Sequence, residues 1–427
     1  MLSFLSVTLV FAAAVLLSTA LKLWLLARQQ RHVAAHRGNV PAAFAAAVPL
    51  AAHQKAADYT LAKGGLASFS IVFNAALLIG WTLLGGLDAL NAWTQSVVGP
   101  ETWAGYAQPL LLIGAFALIG MLLDLPLELY STFVVEQRFG FNRTSWQLYV
   151  VDAIKGLAVG LVIGGPLVWA VLALMKSAGS LWWLWAWGLW LGFQLLVMLL
   201  YPLLIAPLFN KFEPLQDESL VQRVQALFQR AGFSAKGLFV MDGSRRSAHG
   251  NAYFTGLGAA KRVVFFDTLL KRLDGAEVEA VLAHELGHFK LRHVPKRLIA
   301  FALISLAGFA LLGWLAQQPA FYVGLGVRPS LVAGNEALAL LLFLMVVPVL
   351  AYPLAPLLSA SSRRHEFEAD AYAVEQADGR ALASALLKLH EDNASTLTPD
   401  PVYARWTYSH PPALERLGAI HAKLSPA

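Results

Sequence analysis

The stretch LWWLWAWGLWLGFQLLVMLLYPLL, residues 181–204, contains no charged side chain. As an α-helix it is long enough to cross the roughly 30 Å hydrocarbon core of a bilayer, which takes about 20 predominantly apolar residues. Its tryptophans crowd the first half of the stretch, where they suit either an interfacial belt or ordinary packing. The stretch therefore predicts a membrane-spanning helix, and with it an integral membrane protein.

Six further apolar stretches lie on either side of it. They are residues 4–26, 67–87, 109–129, 154–175, 298–315 and 337–358. The first exceeds the roughly 7–15-residue core of a signal peptide and has no basic residue before it, so we interpret it as a span. Hydrophobic residues make up 58% of the 427-residue chain and charged residues 14%, against about 45–50% and 25% in ordinary globular proteins. The pattern predicts a fold dominated by α-helix, with seven transmembrane helices.

The charged residues between the spans predict an orientation. The loop after the first span is basic, and its cations are Arg28, Arg31, Arg37, Lys55 and Lys63. The next loop carries only Asp88 and Glu101, so the positive-inside rule places the N-terminus outside and, after seven spans, the C-terminus in the cytoplasm. The net charge of +6 forms no basic stripe with interleaved aromatic residues, and we therefore expect no nucleic-acid partner.

The spans divide the chain into four parts. Residues 1–205 hold five N-terminal spans, residues 206–297 the first part of a soluble domain, residues 298–358 spans six and seven, and residues 359–427 the second soluble part. The first soluble part has strand patterns at Gly237–Met241 and Arg262–Phe266, with a turn near 256–258 between them. A helix is expected from residues 275–277 through Val294, with Pro295 marking its end or a kink. These elements predict an α+β domain on the cytoplasmic side.

The segment VLAHELGHF, residues 281–289, contains the motif H-E-x-x-H on a helical pattern. Residues four apart lie on one face of a helix, so His284 and His288 can bind the same metal ion. Glu285 lies beside them, where it can take a proton from a metal-activated water and pass it to the leaving amine. This combination indicates a zinc metalloprotease with one Zn²⁺ per chain.

A catalytic zinc site needs a third protein ligand and an open fourth position. Because the chain has no cysteine, that ligand must be His, Asp or Glu. His293 is a candidate, but the extended motif H-E-x-x-H-x-x-G-x-x-H requires Gly at Leu291 and His at Val294. We therefore interpret His293 as a solvated or capping histidine and expect the ligand from another segment.

The segment SRRHEFEADAYA, residues 362–373, offers that ligand. Glu366 and Asp370 lie on one helical face, whereas Glu368 points away from them. Spacing alone leaves His365 or Glu368 possible beside Glu366. Asp370 is placed to accept a hydrogen bond from the free ring nitrogen of a liganding histidine, which fixes the tautomer of that histidine.

These segments resemble the zinc-dependent CAAX prenyl protease family, which works in membranes of the endoplasmic reticulum and of bacteria. The resemblance rests on NAYFTG at 251–256, FFDTLL at 265–270, HELGH at 284–288, RRHEFEAD at 363–370 and WTYSHPPALER at 406–416. It extends upstream through EQRFGFN at 136–142 and YPLLIAPLFNKF at 201–212. H-E-x-x-H alone is shared by many metalloproteases, but this ordered set is specific to the family.

The resemblance implies roles that spacing alone does not give. It makes Glu366 the third zinc ligand, and it implies that the seven helices enclose a water-filled chamber capped by the zinc domain. Asn251 resembles the residue that contacts the peptide backbone on an edge strand, to which a peptide can add. His410 and Arg416 match groups that stabilise the oxyanion.

Some features depart from the family pattern. Asn210 stands where Asp is frequent, and Ala248 and Gly250 replace more polar residues. The sequence ends KLSPA without a dilysine retrieval signal and contains no cysteine. The missing retrieval signal, the absence of cysteine and a composition rich in alanine and leucine favour a bacterial inner membrane over the endoplasmic reticulum.

The expected function is cleavage of peptide bonds near the C-terminus of prenylated CAAX-type substrates within the lipid bilayer. A rival within the enzyme class is quality control of unprenylated membrane proteins. A rival of another class is a transporter or pore that uses zinc structurally, but its spans would carry several ionisable residues, and few besides Asp124 and Glu128 are present. The sequence does not indicate an oligomeric state.

Overall fold

The computed structural model describes residues 3–99, 102–255, 261–331 and 334–424. The predicted turn at 256–258 lies outside the described residues. Seven helical segments are long and apolar enough to span a membrane, and they confirm the predicted number of spans. Their bounds are Phe4–His36, Leu50–Trp81, Ala107–Glu136, Trp146–Ser177, Gly179–Phe209, His293–Leu315 and Glu336–Gln376.

Several spans are longer than predicted because hydropathy detects the bilayer-crossing window and not the ends of a helix. Helix α1 covers Phe4–His36, and α2 covers Leu50–Trp81, which begins well before the predicted start at residue 67. Residues 50–66 are rich in alanine, a strong helix former, so the helix continues beyond its apolar part. The C-terminal half of α1 and the N-terminal half of α2 therefore project toward the soluble part.

The middle spans are built from several helical pieces. The helices that follow α2 in the N-terminal half of the chain are α3 (Gly86–Val97), α4 (Ala107–Tyr130), α5 (Trp146–Val159), α6 (Gly165–Ser177), α7 (Trp182–Leu200) and α8 (Ala206–Phe209). Wide π turns continue α4 through Ser131–Glu136, link α5 to α6 and link α7 to α8. The π turn between α7 and α8 contains Pro202, which lacks the N–H of a regular helical bond.

A four-stranded sheet forms the base of the soluble part. Its strands are β1 (Phe212–Pro214), β2 (Gly237–Met241), β3 (Ala252–Thr255) and β4 (Arg262–Phe266), in the order β1-β2-β4-β3. Strands β2 and β4 pair in parallel, and the outer two pair antiparallel to their neighbours. The strands predicted at Gly237–Met241 and Arg262–Phe266 are confirmed. Strand β3 is an edge strand and has one side open to an added peptide.

Helices cover the sheet and complete the soluble part. The sixth and seventh spans, α12 (His293–Leu315) and α14 (Glu336–Ala351), and the short α13 (Pro319–Gly324) between them interrupt this part of the chain. The helices of the soluble part are α9 (Glu218–Arg230), α10 (Asp267–Leu270), α11 (Gly275–Lys290), α15 (Ala355–Gln376), which continues from the seventh span, α16 (Gly379–Asp392), α17 (Pro401–Thr407) and α18 (Ala413–Leu424). Their common core includes the fully buried Leu227, Phe265, Leu282 and Leu286. Val278 of the H-E-x-x-H helix is buried in the same core, so this helix packs one apolar face against its neighbours.

The predicted helix through Val294 is wrong at its C-terminal end. Helix α11 ends at Lys290, and Arg292 adopts a left-handed conformation with φ 57° before α12 begins at His293. Such a residue ends a helix because its carbonyl no longer follows the helical direction. Pro295 lies in the first turn of α12, where a missing N–H costs nothing. The bend therefore precedes the proline and directs His293 back toward α11.

Candidate metal centre and peptide-binding cavity

Helix α11 is fixed at its N-terminus before it reaches the candidate metal ligands. The Asp274 carboxylate accepts the backbone N–H groups of Ala276 and Glu277, and the Glu277 carboxylate accepts that of Asp274, each at 2.9 Å. Glu277 is buried and also contacts Ser384 Oγ at 2.7 Å and Lys388 Nζ at 2.6 Å on α16. This capping box joined to a buried ion pair positions α11 against α16.

Helices α11 and α15 approach each other closely at Gly287, which is the glycine of the HELGH segment. A Cβ atom at this position would lie 3.0 Å from Ala369 Cα and 3.1 Å from the Ala369 carbonyl oxygen. Only glycine opposite alanine allows this separation without displacing a backbone. The close approach places Glu366 of α15 directly opposite the two histidines of α11.

The two Nε2 atoms and the Glu366 carboxylate converge at this crossing. His284 Nε2 lies 3.3 Å from His288 Nε2 and 3.4 Å from Glu366 Oε2, and His288 Nε2 lies 3.3 Å from Glu366 Oε1. In a regular tetrahedron with metal–ligand distances of about 2.0–2.1 Å, any two ligand atoms lie about 3.3–3.4 Å apart. Glu366 is 3% exposed, and its Oε2 has no hydrogen-bond partner among the described residues. The three side chains therefore have the spacing and the unsatisfied acceptor of a tetrahedral metal site.

The outer nitrogen of His284 is held by a buried ion pair. His284 Nδ1 donates to Asp370 Oδ1 at 2.8 Å. Asp370 also accepts Arg416 Nε at 2.7 Å and Nη2 at 2.6 Å. With its proton on Nδ1, His284 presents the lone pair of Nε2 to the other ligand atoms. The structure thus brings Asp370 to the position expected from the sequence.

The outer nitrogen of His288 is held by His293. The Nδ1 atoms of the two rings lie 2.9 Å apart, and His293 Nε2 donates to Glu368 Oε2 at 2.9 Å. Because Glu368 accepts the Nε2 proton of His293, His293 Nδ1 is free to accept the Nδ1 proton of His288. His293 is 0% exposed, so the prediction that it is a solvated or capping histidine is wrong. No sequence pattern predicts this contact, because it depends on the left-handed bend at Arg292.

The remaining predicted groups line one cavity beside the three ligands. Its volume is about 1000 Å³, and Glu285, Asn251, His410 and Arg416 all contribute to its wall. Burial raises the pKa of the Glu285 carboxyl above its usual range, which suits a group that must take up a proton. His410 Nε2 lies 3.5 Å from Glu366 Oε1, and its side chain is 65% exposed.

Arg416 and Asn251 occupy different parts of the same wall. Arg416 is buried, two of its nitrogens bind Asp370, and its Nη1 lies 4.0 Å from Glu366 Oε2. Asn251 directly precedes β3, and its Oδ1 accepts the backbone N–H of Ala252 at 2.8 Å. The catalytic, ligand and peptide-contact roles of all these residues stay predictions. The structure places them together around one space.

Comparisons with known proteins cover almost the whole chain. The model "CAAX prenyl protease N-terminal, five membrane helices" matches residues 29–211, and the model "Peptidase family M48" matches residues 214–424. A CAAX prenyl protease 1 homolog of Arabidopsis thaliana is 39% identical, with 70% of this chain and 69% of that protein covered. CAAX prenyl protease 1 of Saccharomyces cerevisiae is 34% identical over 86% of this chain and 85% of its own length.

The human relative and a solved structure extend the match to both ends. The Homo sapiens CAAX prenyl protease 1 homolog is 30% identical over 96% of this chain and 95% of its own length. The crystal structure of S. mikatae Ste24p superposes with a TM-score of 0.89 at 31% identity, covering 97% of this chain and 99% of that one. A transporter or pore finds no support, since both family models describe proteases.

The comparisons overturn the expected membrane. The relatives named here come from a plant, a yeast and a mammal, and the preference for a bacterial inner membrane over the endoplasmic reticulum is wrong. The reason is physical, because an apolar span meets the same requirement in any bilayer. Cysteine content and alanine-rich spans therefore carried no information about the compartment. That the protein crosses its membrane several times is supported.

Proposed function

Because the chain belongs to the CAAX prenyl protease family of M48 peptidases, we propose that His284, His288 and Glu366 hold its metal and that the metal is zinc. The protein is a membrane-embedded metalloprotease that acts on CAAX substrates. Two imidazoles and one carboxylate with an open fourth position form a donor set typical of catalytic zinc. The observation that carries this assignment is that the two histidine Nε2 atoms lie 3.3 Å apart and each lies 3.3–3.4 Å from one carboxylate oxygen of Glu366.

The neighbouring residues prepare the ligands for the metal. The Nδ1 contacts to Asp370 and His293 keep a proton on the outer nitrogen of each histidine, so that both Nε2 lone pairs face inward. Bound zinc would supply a Lewis acid that polarises the scissile carbonyl and makes water nucleophilic at neutral pH. All further steps belong to side chains of this protein.

Glu285 acts as the general base and then as the acid. Its carboxylate takes the proton of the attacking water and delivers that proton to the leaving amine, and its raised pKa brings these two transfers closer in energy. His410 donates to the oxygen of the scissile carbonyl as negative charge develops there, from its exposed position 3.5 Å from Glu366. Arg416 anchors Asp370, and its Nη1 adds positive charge on the same side.

The peptide adds to the open side of β3. The strand lies at the edge of the sheet, and its first residue, Ala252, lines the same cavity as the candidate ligands. Backbone hydrogen bonds to an edge strand extend a peptide and present its carbonyls in a fixed register. Asn251 contacts the backbone of that peptide. The proposal includes a prenylated substrate. It also includes a cytoplasmic position of the catalytic part, which the basic loop after α1 favours.

The test is cleavage of a farnesylated CAAX peptide by the detergent-purified full chain. We expect cleavage to disappear with a chelator and to return with zinc, and an unprenylated misfolded membrane protein to remain intact. Cleavage that survives complete metal removal would contradict the metal site. Cleavage of the misfolded protein alone would keep the site and reassign the substrate to membrane-protein quality control.

A further inference from the structure

The cavity wall carries one cation to which the mechanism assigns no role. Among its described wall residues, the Lys, Arg, Asp and Glu side chains are Lys63, Glu285, Glu366 and Arg416. Arg416 is paired with Asp370, whereas Lys63 forms no ion pair with any described residue. Lys63 Nζ contacts the Tyr59 hydroxyl at 3.3 Å and lies 4.9 Å from the centre of the Tyr59 ring. Lys63 is therefore an exposed cation facing a space that binds substrate.

The Tyr59 side chain holds this cation in place. Its hydroxyl donates to Glu136, which leaves the hydroxyl oxygen to accept from Lys63. The ring is buried against Phe141 at a centroid distance of 4.9 Å, so it has little freedom to move. Lys63 thus has a fixed support on one side and two unused N–H groups for a further acceptor.

A continuous set of contacts links Lys63 to the start of the edge strand. Phe141, beneath Tyr59, stacks on the His249 ring with centroids 4.5 Å apart. His249, Gly250 and Asn251 follow one another along the cavity wall, and β3 begins at the next residue. The Lys63–Tyr59 pair therefore lies on the side of the cavity from which β3 enters.

The direction of the bound peptide determines which part of the substrate comes near the Lys63–Tyr59 pair. Antiparallel pairing is the more stable arrangement of two strands, and a peptide antiparallel to β3 runs its C-terminus toward Asn251 and His249. A CAAX substrate ends three residues after its cysteine, in a free carboxylate. At about 3.3 Å per residue these three residues extend the chain by roughly 10 Å. The free carboxylate is thus carried along the wall toward Lys63.

We propose that Lys63, supported by Tyr59, binds the C-terminal carboxylate of the substrate peptide. The inference rests on the proposed function, since it needs the peptide on β3 and the scissile bond at the His284, His288 and Glu366 site. A carboxylate that meets an unpaired ammonium group forms a charge-assisted hydrogen bond, which an uncharged carboxamide of the same shape cannot replace.

The test compares binding of two farnesylated CAAX peptides that differ only in a C-terminal carboxylate or carboxamide. Dissociation constants are measured by fluorescence anisotropy with the zinc-loaded Glu285→Gln full chain, so that binding is read without turnover. We expect the carboxylate peptide to bind roughly tenfold to a hundredfold more tightly. Adding Lys63→Met should remove this preference by weakening only the carboxylate peptide, and Lys63→Arg should retain most of it.

Lys55 provides the matched control. It lies on the same helix with Nζ 4.8 Å from the Phe141 ring centre, but it is not part of the cavity wall. Lys55→Met should therefore keep the preference for the carboxylate peptide. Equal binding of both peptides to the parent protein would overturn the proposal, as would an equal loss of both in the Lys63→Met variant. Residual turnover by Glu285→Gln would contradict the general-base assignment instead and leave the carboxylate comparison intact.

Discussion

Replacing His293 with leucine should weaken zinc binding without touching a ligand. His293 accepts the Nδ1 proton of His288 at 2.9 Å in a fully buried position, and leucine offers no acceptor there. An unsatisfied buried donor costs about 1–3 kcal/mol. The alternative tautomer of His288 would place the proton on Nε2, where it blocks the metal. Loss of such a supporting contact typically lowers metal affinity by about 10–100-fold, and a factor of ten corresponds to about 1.4 kcal/mol.

The assay is competition for zinc against a chelator of known affinity, with metal content measured on the purified full chain. His365→Leu is the matched control, because the His365 ring stacks on His293 at a centroid distance of 4.1 Å but makes no hydrogen bond to a candidate ligand. We expect its zinc affinity to stay within about threefold of the parent. Unchanged zinc affinity in His293→Leu, or an equal fall in both variants, would show that the His293 contact does not support His288 as a ligand.

Three further substitutions test separate parts of the site. Glu285→Gln should retain zinc and lose about 10²–10⁴-fold in kcat, measured on a farnesylated CAAX peptide, and substantial residual turnover would exclude Glu285 as the base. His410→Ala should keep zinc content and lower kcat about 10²–10³-fold; an unchanged kcat would exclude an oxyanion contact. Gly287→Ala should lower the free energy of unfolding by about 1–3 kcal/mol and weaken zinc binding, because its Cβ would lie 3.0 Å from Ala369 Cα. A normal denaturation midpoint for this variant would show that α11 and α15 can separate without cost.

The sequence predicts the spans well because a bilayer imposes a simple requirement. About 20 apolar residues are needed to cross it, and six of the seven predicted stretches lie within the spanning helices of the structure. The stretch predicted at 67–87 runs past the end of α2 at Trp81. Helix ends are less predictable, because beyond the bilayer they depend on local helix preference and on packing. The early start of α2 at Leu50 shows this. The bend at Arg292 likewise depends on how α11 and α12 pack.

The candidate site divides in the same way between local and distant contacts. His284, Glu285 and His288 follow from one turn of a single helix, so spacing alone predicts them. Glu366 belongs to another helix, and spacing left it beside His365 and Glu368 until the family resemblance was considered. The contact of the buried His293 with Glu368 depends on the packing of several elements. The same holds for the position of Lys63 in the cavity wall. Contacts between such distant segments produce no periodic pattern in the sequence.

Peptide cleavage by this protein requires zinc held by His284, His288 and Glu366. The decisive measurement is the zinc-to-chain ratio of the purified protein and of its Glu366→Ala variant, with cleavage of a farnesylated CAAX peptide followed in the same samples. We predict one zinc per chain and full cleavage in the parent, and loss of both in the variant. One tightly bound zinc in Glu366→Ala would show that Glu366 is not a zinc ligand, and cleavage by a zinc-free parent would show that the reaction does not need the metal.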